Sequence, residues 1–203
     1  MDVTICSYCR LSNDKVVVNG MEIPIQKTEG SWLNDIYRSL KISYPKFFKM
    51  DNLSKAGFLA SELLLKDEII DKENPKKDIS IVLMNRSASL DDDRMYQETI
   101  EDKNNYYPSP AVFVYTLPNI VNGEIAIRNK IMGETSFYIS EAFSAEKIYT
   151  AAMDAFSDES ISQVVCGWTD YELNKCDVLL LLIRKENQNG KPFNINNIYH
   201  LHI

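Results

Sequence analysis

The stretch 142–156 of this 203-residue chain constrains the fold more than any other. Ala142, Ala145, Ala151, Ala152 and Ala155 alternate with Ile148, Tyr149, Met153 and Phe156, at spacings that predict a helix over 144–156. Few positions are left for polar side chains, so the helix is apolar nearly all round, and such a helix is buried on several sides. One sheet covers one side of it. A further helical layer is therefore expected over it, supplied by a partner chain.

Around that helix, strand and helix signals alternate. Strands are expected over 3–11, 79–84, 136–140, 161–166 and 178–183, with a hairpin-like excursion where Val16-Val17-Val18 meets Asn19-Gly20. Residues 52–66 repeat apolar positions every three to four residues (Ala56, Leu59, Ala60, Leu63, Leu64) and predict an amphipathic helix. A second is expected over 94–100. A third starts at Thr116-Leu117-Pro118, with Thr as cap and Pro in the first turn, and stops before Gly133. Residues 31–48 read as an irregular aromatic stretch, 71–77 and 187–192 as loops, and Gly167-Trp168-Thr169-Asp170 as the turn between the last two long strands. The tail 198–203 reads as a final strand. The alternation gives an α/β class with a mixed sheet, in one domain spanning 1–203.

A formal net charge of -7 argues against nucleic-acid binding and against an anionic membrane surface. No apolar run approaches the roughly 20 residues of a membrane span, and the start lacks a signal peptide's basic and apolar regions. A cytoplasmic protein is the expectation, with its four cysteines as buried thiols. Cys6 and Cys9 form a C-x-x-C, but in a strand-like stretch. Cys166 and Cys176 are too widely spaced for a zinc knuckle, so no metal is expected there. The chain has only two histidines, His200 and His202, which a strand would place on one face; no carboxylate lies near them in sequence, and a metal role is not expected. Asp91-Asp92-Asp93 reads as a solvated charge run in a loop. There is no G-x-S-x-G, P-loop or G-x-G-x-x-G, and no cofactor is expected.

Ser109-Pro110, Phe113, Thr116-Leu117-Pro118-Asn119 and Gly123 together resemble the pattern S-P-x-x-F-x-x-T-x-P-N-x-x-x-G of the β-ketoacyl synthases. Lys49-Met50-Asp51-Asn52-Leu53-Ser54-Lys55 is similar to the segment before that family's early helix. Val164-Val165-Cys166-Gly167-Trp168-Thr169-Asp170 is similar to a later strand and glycine turn, so the likeness covers most of 45–185. It implies half of a thiolase-like fold: a mixed, mostly parallel five-stranded sheet with helices on both faces.

In that family the strand after the glycine runs into T-A-C-x-S, with the nucleophilic cysteine at the N-terminus of the buried helix, where the helix dipole favours a thiolate. The corresponding residues are Glu141-Ala142-Phe143-Ser144-Ala145, so Phe143 stands at the cysteine position. A benzyl side chain has no nucleophilic atom. Ser144 is the adjacent alternative nucleophile, and a helix cap is the better reading of it. The family's histidine-bearing second half has no counterpart, and neither His200 nor His202 sits in a matching motif. No catalytic residue is therefore assigned, and condensation by this chain alone is not expected.

The resemblance implies instead a subunit like the chain-length factors, which have lost the cysteine and shape a partner's acyl tunnel. It implies a homo- or heterodimer, with a ketosynthase and an acyl carrier protein as partners, and a pathway of the fatty-acid or polyketide type, such as one making an aryl polyene or pigment. Phe143, Glu141 and Phe113 are the residues it places toward an acyl group. The chain's small size departs from full-length chain-length factors. A stand-alone acyl or acyl-carrier binding module, or an acyltransferase with a non-standard nucleophile, would also use this fold.

Overall fold

The computed structural model describes residues 2–66, 74–104, 106–185 and 190–203. Five strands form the centre of one sheet in the order β5 (Thr135–Ile139), β4 (Ile79–Asn85), β6 (Gln163–Glu172), β7 (Lys175–Lys185) and β1 (Val3–Ser12). β4 pairs in parallel with β5 and β6, whereas β7 runs antiparallel to both β6 and β1. Four of the five therefore point the same way, and the sheet is mixed as expected. The short β2 (Val16–Val18), β3 (Met21–Glu22) and β8 (Lys191–Pro192) extend it beyond β1. The β2–β3 turn is Asn19-Gly20, both at positive φ, the conformation a two-residue hairpin demands.

β7 shows why the sheet must be covered on both faces. Val178, Leu180 and Leu182 enter one core and Leu179, Leu181 and Ile183 the other, and all six are fully buried. The first core lies under α1 (Trp32–Ser39), α2 (Asn52–Leu64) and α5 (Ile120–Asn129). The second lies under α6 (Ala145–Ala155) and α7 (Ile195–His202). β1 serves both: a register shift between Ile5 and Ser7 sends Val3 and Ile5 toward α6 and α7, and Cys9 and Leu11 toward α2.

The most enclosed helix is α2, with ten of its thirteen residues buried, not α6, which buries only Ala145, Ile148 and Ala152. α2 lies between the sheet and two helices. A Cβ at its Gly57 would collide with Val121, so glycine is what lets α5 come this close. Among the described residues, the sheet and α7 cover α6. Its remaining apolar residues, Tyr149, Ala151, Met153 and Ala155, are half-buried.

Several local expectations are corrected. The aromatic stretch 31–48 holds α1 and a 3-10 turn, Pro45–Lys49, whose Phe47 stacks on Tyr37. Thr116-Leu117-Pro118 is not a helix start but the break between α4 (Pro110–Tyr115) and α5; Ser109 caps α4, with Pro110 in its first turn. Lys130, not Gly133, is the left-handed stop of α5. Gly133 is required because a Cβ there would strike the carbonyl oxygen of Ile79. Gly167 to Asp170 lie inside β6, and Leu173-Asn174 make the turn. The acidic run 91–93 forms the first turn of α3 (Leu90–Glu98), with Asp92 buried rather than solvated. The tail is not a strand but α7, capped by Asn194. Of the predicted loops 71–77 and 187–192, residues 71–73 and 187–189 lie outside the described set.

Candidate functional site

β5 is followed by Ser140, whose hydroxyl donates to the Ala142 carbonyl at 2.9 Å and tightens the turn into α6. That turn puts Glu141 and Ala142 in solvent and holds Phe143 half-buried at the helix entrance. Ser144 is the N-cap: its Oγ accepts from the Lys147 N–H at 3.2 Å and donates to Glu146 Oε2 at 3.1 Å. The hydroxyl is committed to closing the first turn, as the sequence suggested.

What the sequence did not suggest is the neighbour of Phe143. α7 returns to the sheet and lays the imidazole of His202 flat on the Phe143 ring, with centroids 3.7 Å apart and planes 8° from parallel. Trp168 meets Phe143 edge-on at 6.0 Å. Asp177 on β7 anchors the group. His202 Nε2 lies 3.1 Å from both of its oxygens, the Trp168 indole N–H donates to it at 3.0 Å, and Arg10 pairs with it at 2.7 Å. Arg10 Nε also donates to the His202 carbonyl at 2.8 Å, so one guanidinium ties the end of α7 to β1. Burial pushes the Asp177 carboxyl upward, but His202 and Arg10 outweigh it and hold it below its ordinary range.

Phe143, Trp168 and Asp177 of this group line a cavity of about 260 Å³ to which Glu141, Asp170 and Arg86 also contribute. Asp170 is fixed by the Arg86 and Ser87 N–H groups and by the Ser87 hydroxyl at 2.6 Å. Glu141 and Phe143 thus share one cavity. Phe113 is not among its lining residues: it lies 53% exposed on α4, its ring tilted against Tyr96. His200 and His202, two residues apart on a helix, point in divergent directions and form no ligand pair. Among the described residues, no three His, Cys, Asp or Glu side chains are grouped to hold a metal ion.

Phe143 carries no nucleophilic atom, the Ser144 hydroxyl caps α6, and His202 faces a ring on one side and a carboxylate at Nε2. Cys166 and Cys176 are buried, and burial pushes both thiols far above their ordinary range, away from the reactive thiolate. Cys9 is likewise pushed up to about 12.

On the far side of α6, an open groove of about 750 Å³ runs between the helix and the β5 edge. Tyr138, Ile139, Met84, Ala151 and Met153 line it, with Lys147 at its rim. β5 has β4 on one side and no strand on the other among the described residues, and Tyr138 and Ile139 are 44% and 54% exposed. No helix of the described residues is long and apolar enough to cross a membrane.

No protein-family model and no curated protein sequence matches the chain. Solved structures do. The ishigamide ketosynthase/chain length factor is similar over 95% of this chain and 64% of its own, at TM-score 0.66 and 14% identity. A complex of the ketosynthase ApeO with its chain length factor ApeC from Xenorhabdus doucetiae is similar over 100% of this chain and 90% of the matched one, at TM-score 0.62 and 11% identity. The AntDE:AntF complex, a type II PKS acyl-carrier protein with its ketosynthase, is similar over 91% of this chain and 63% of the matched one, at TM-score 0.61 and 13% identity. The fold is therefore that of the ketosynthases and chain-length factors. The chain spans under two thirds of the matched chain in the first and third of these, but nearly all of the one in the ApeO–ApeC complex.

Proposed function

We propose that this chain is a non-catalytic ketosynthase-like subunit that pairs with a condensing enzyme, or with a second copy of itself, and lends a packed wall to an acyl pocket in fatty-acid or polyketide-type biosynthesis. The observation that carries the reading is the Phe143–His202 stack. A nucleophilic side chain at the α6 entrance would be the minimum for acyl transfer; here that position is filled by a ring, and a second ring is stacked on it.

The pairing half of the proposal is supported by what the fold leaves bare. An edge strand with exposed apolar side chains is a template for another strand, and natural proteins protect such edges or use them. Beside it, α6 keeps Ala151 and Met153 facing an open groove. A partner laid along β5 would complete the sheet and cover both. The ApeO–ApeC complex, in which a ketosynthase is joined to its chain length factor, supports this in a chain of comparable length to the present one.

The mass in solution tests it, alone and mixed with a ketosynthase from the same organism. A two-copy particle, or a one-to-one complex with the ketosynthase, is expected, and Tyr138→Lys/Ile139→Lys should abolish either. A chain that stays single in both settings would contradict the pairing and favour a stand-alone acyl-binding module, for which the apolar groove is the natural place.

A further inference from the structure

The net charge of -7 is unevenly spread. From Ile36 to Met50 the chain carries Arg38, Lys41, Lys46 and Lys49 and not one Asp or Glu. All four cations are exposed, whereas the two carboxylates that touch them are buried. Asp35, 3.7 Å from Arg38, and Glu124, 2.7 Å from Lys46, have side chains only 2% and 5% exposed. Asp35 also accepts from the Thr28 N–H and hydroxyl, at 2.8 and 2.7 Å. Neutralisation therefore takes place below the surface, and what these residues show to solvent is positive charge.

Amid these cations one aromatic ring stands clear of the core. Phe47 is fully buried, stacked on Tyr37 at 4.3 Å and tilted against Phe58 at 5.8 Å. Its neighbour Phe48 is 52% exposed, the ring edge-on to Tyr37 at 5.1 Å and to Phe47 at 5.5 Å. The Tyr37 hydroxyl accepts from the Tyr44 N–H at 2.7 Å, which pins the 3-10 turn to α1. Phe48 is thus held out on a packed aromatic base. Side chains three apart eclipse in such a turn, so Lys46 and Lys49 lie on one side of it with Phe48 beside them.

We propose that residues 38–49 are a docking surface for an anionic phospholipid bilayer: Arg38, Lys41, Lys46 and Lys49 meet the headgroup phosphates, and Phe48 enters the apolar boundary beneath them. Anionic charge outermost with apolar matter directly below is the layering of such a bilayer. The chain's overall charge repels an anionic surface, so the approach is made through this segment and in one orientation. An acidic protein would satisfy the four cations equally well, but it would need a hollow to receive Phe48, and a bilayer needs none. Four cations and one ring give a reversible contact, far short of an inserted helix.

Co-sedimentation of the full chain with vesicles tests this, using three parts phosphatidylcholine to one part phosphatidylglycerol against phosphatidylcholine alone. Binding is expected on the anionic vesicles only, and it should be lost in about 1 M salt, where the screening length falls to about 3 Å. A cation near the surface is worth about fivefold in partition, so Lys41→Gln/Lys49→Gln should weaken binding by about 25-fold. Phe48→Ser should weaken it as well. Lys103→Gln/Lys191→Gln removes the same charge from exposed positions outside the segment and should change binding by less than about twofold. All four lysines are exposed, so an unmoved urea midpoint is expected in both pairs. Equal binding to neutral vesicles, no binding to either kind, or an equal loss in the two lysine pairs would overturn the proposal. Retention on polyglutamate without sedimentation would overturn it in favour of an acidic protein partner.

Discussion

His202 and Phe143 come from opposite ends of the last third of the chain, yet their rings lie parallel at 3.7 Å with the imidazole bonded through Nε2 to Asp177. The contact fastens α7 to the entrance of α6. A stacked ring pair is worth about 0.5–1.5 kcal/mol beyond its buried area, and one hydrogen bond to a charged group about 1.5 kcal/mol or more. His202→Ala should therefore lower stability by about 2 kcal/mol, read as a lower urea midpoint with an unchanged slope. An unmoved midpoint would mean that α7 is not fastened here.

The Asp177 carboxyl is held below its ordinary range, so its contribution to stability is present above the unfolded value near about 3.9 and is lost as pH falls through the folded value. Asp177 keeps a side-chain exposure of 37%, so solvent screens part of this. An acid titration of the unfolding midpoint should show a drop below pH 4 that shrinks in Asp177→Asn. The same drop in the variant would assign the acid sensitivity elsewhere.

Gly167 sits inside β6 at φ +146, where a Cβ would strike the carbonyl oxygen of Leu179 on the neighbouring strand. The obstacle is backbone in the middle of the sheet and cannot swing aside. Gly167→Ala should cost about 2–4 kcal/mol, measured by thermal or urea unfolding, among the larger single-residue effects. Gly123→Ala, with nothing within reach of its Cβ and a helical backbone, should be neutral or stabilising by up to about 1 kcal/mol.

Periodicity made the main elements legible. The i, i+3, i+4 spacing from Ala56 to Leu64 marked α2, and the apolar runs marked β4 and β7. Where sequence and structure differ, distant contacts override a local signal. Ile198 and Leu201 look like strand residues until they are seen packed beside α6. Gly133 and Gly167 look like stops and turns, whereas each is small because another strand's carbonyl passes close by. Asp92 reads as solvated because burial of a carboxylate is costly, yet the first turn of α3 buries it. The candidate site was half legible. Glu141, Phe143 and Ser144 were placed by motif; Asp177, Trp168 and Arg10 were invisible, since no local pattern links β1, β6 and β7 to the tail.

The α6 entrance holds two rings, Phe143 and His202, where acyl transfer would need a nucleophile. The decisive measurement is intact mass after incubation with an acyl thioester, on the unaltered chain and on Phe143→Cys. No stable acyl adduct is expected on the unaltered chain and no condensation activity in Phe143→Cys, because the imidazole beside that position, His202, is already engaged by Asp177. A stoichiometric adduct on the unaltered chain, at Ser144 or at a cysteine, would contradict it.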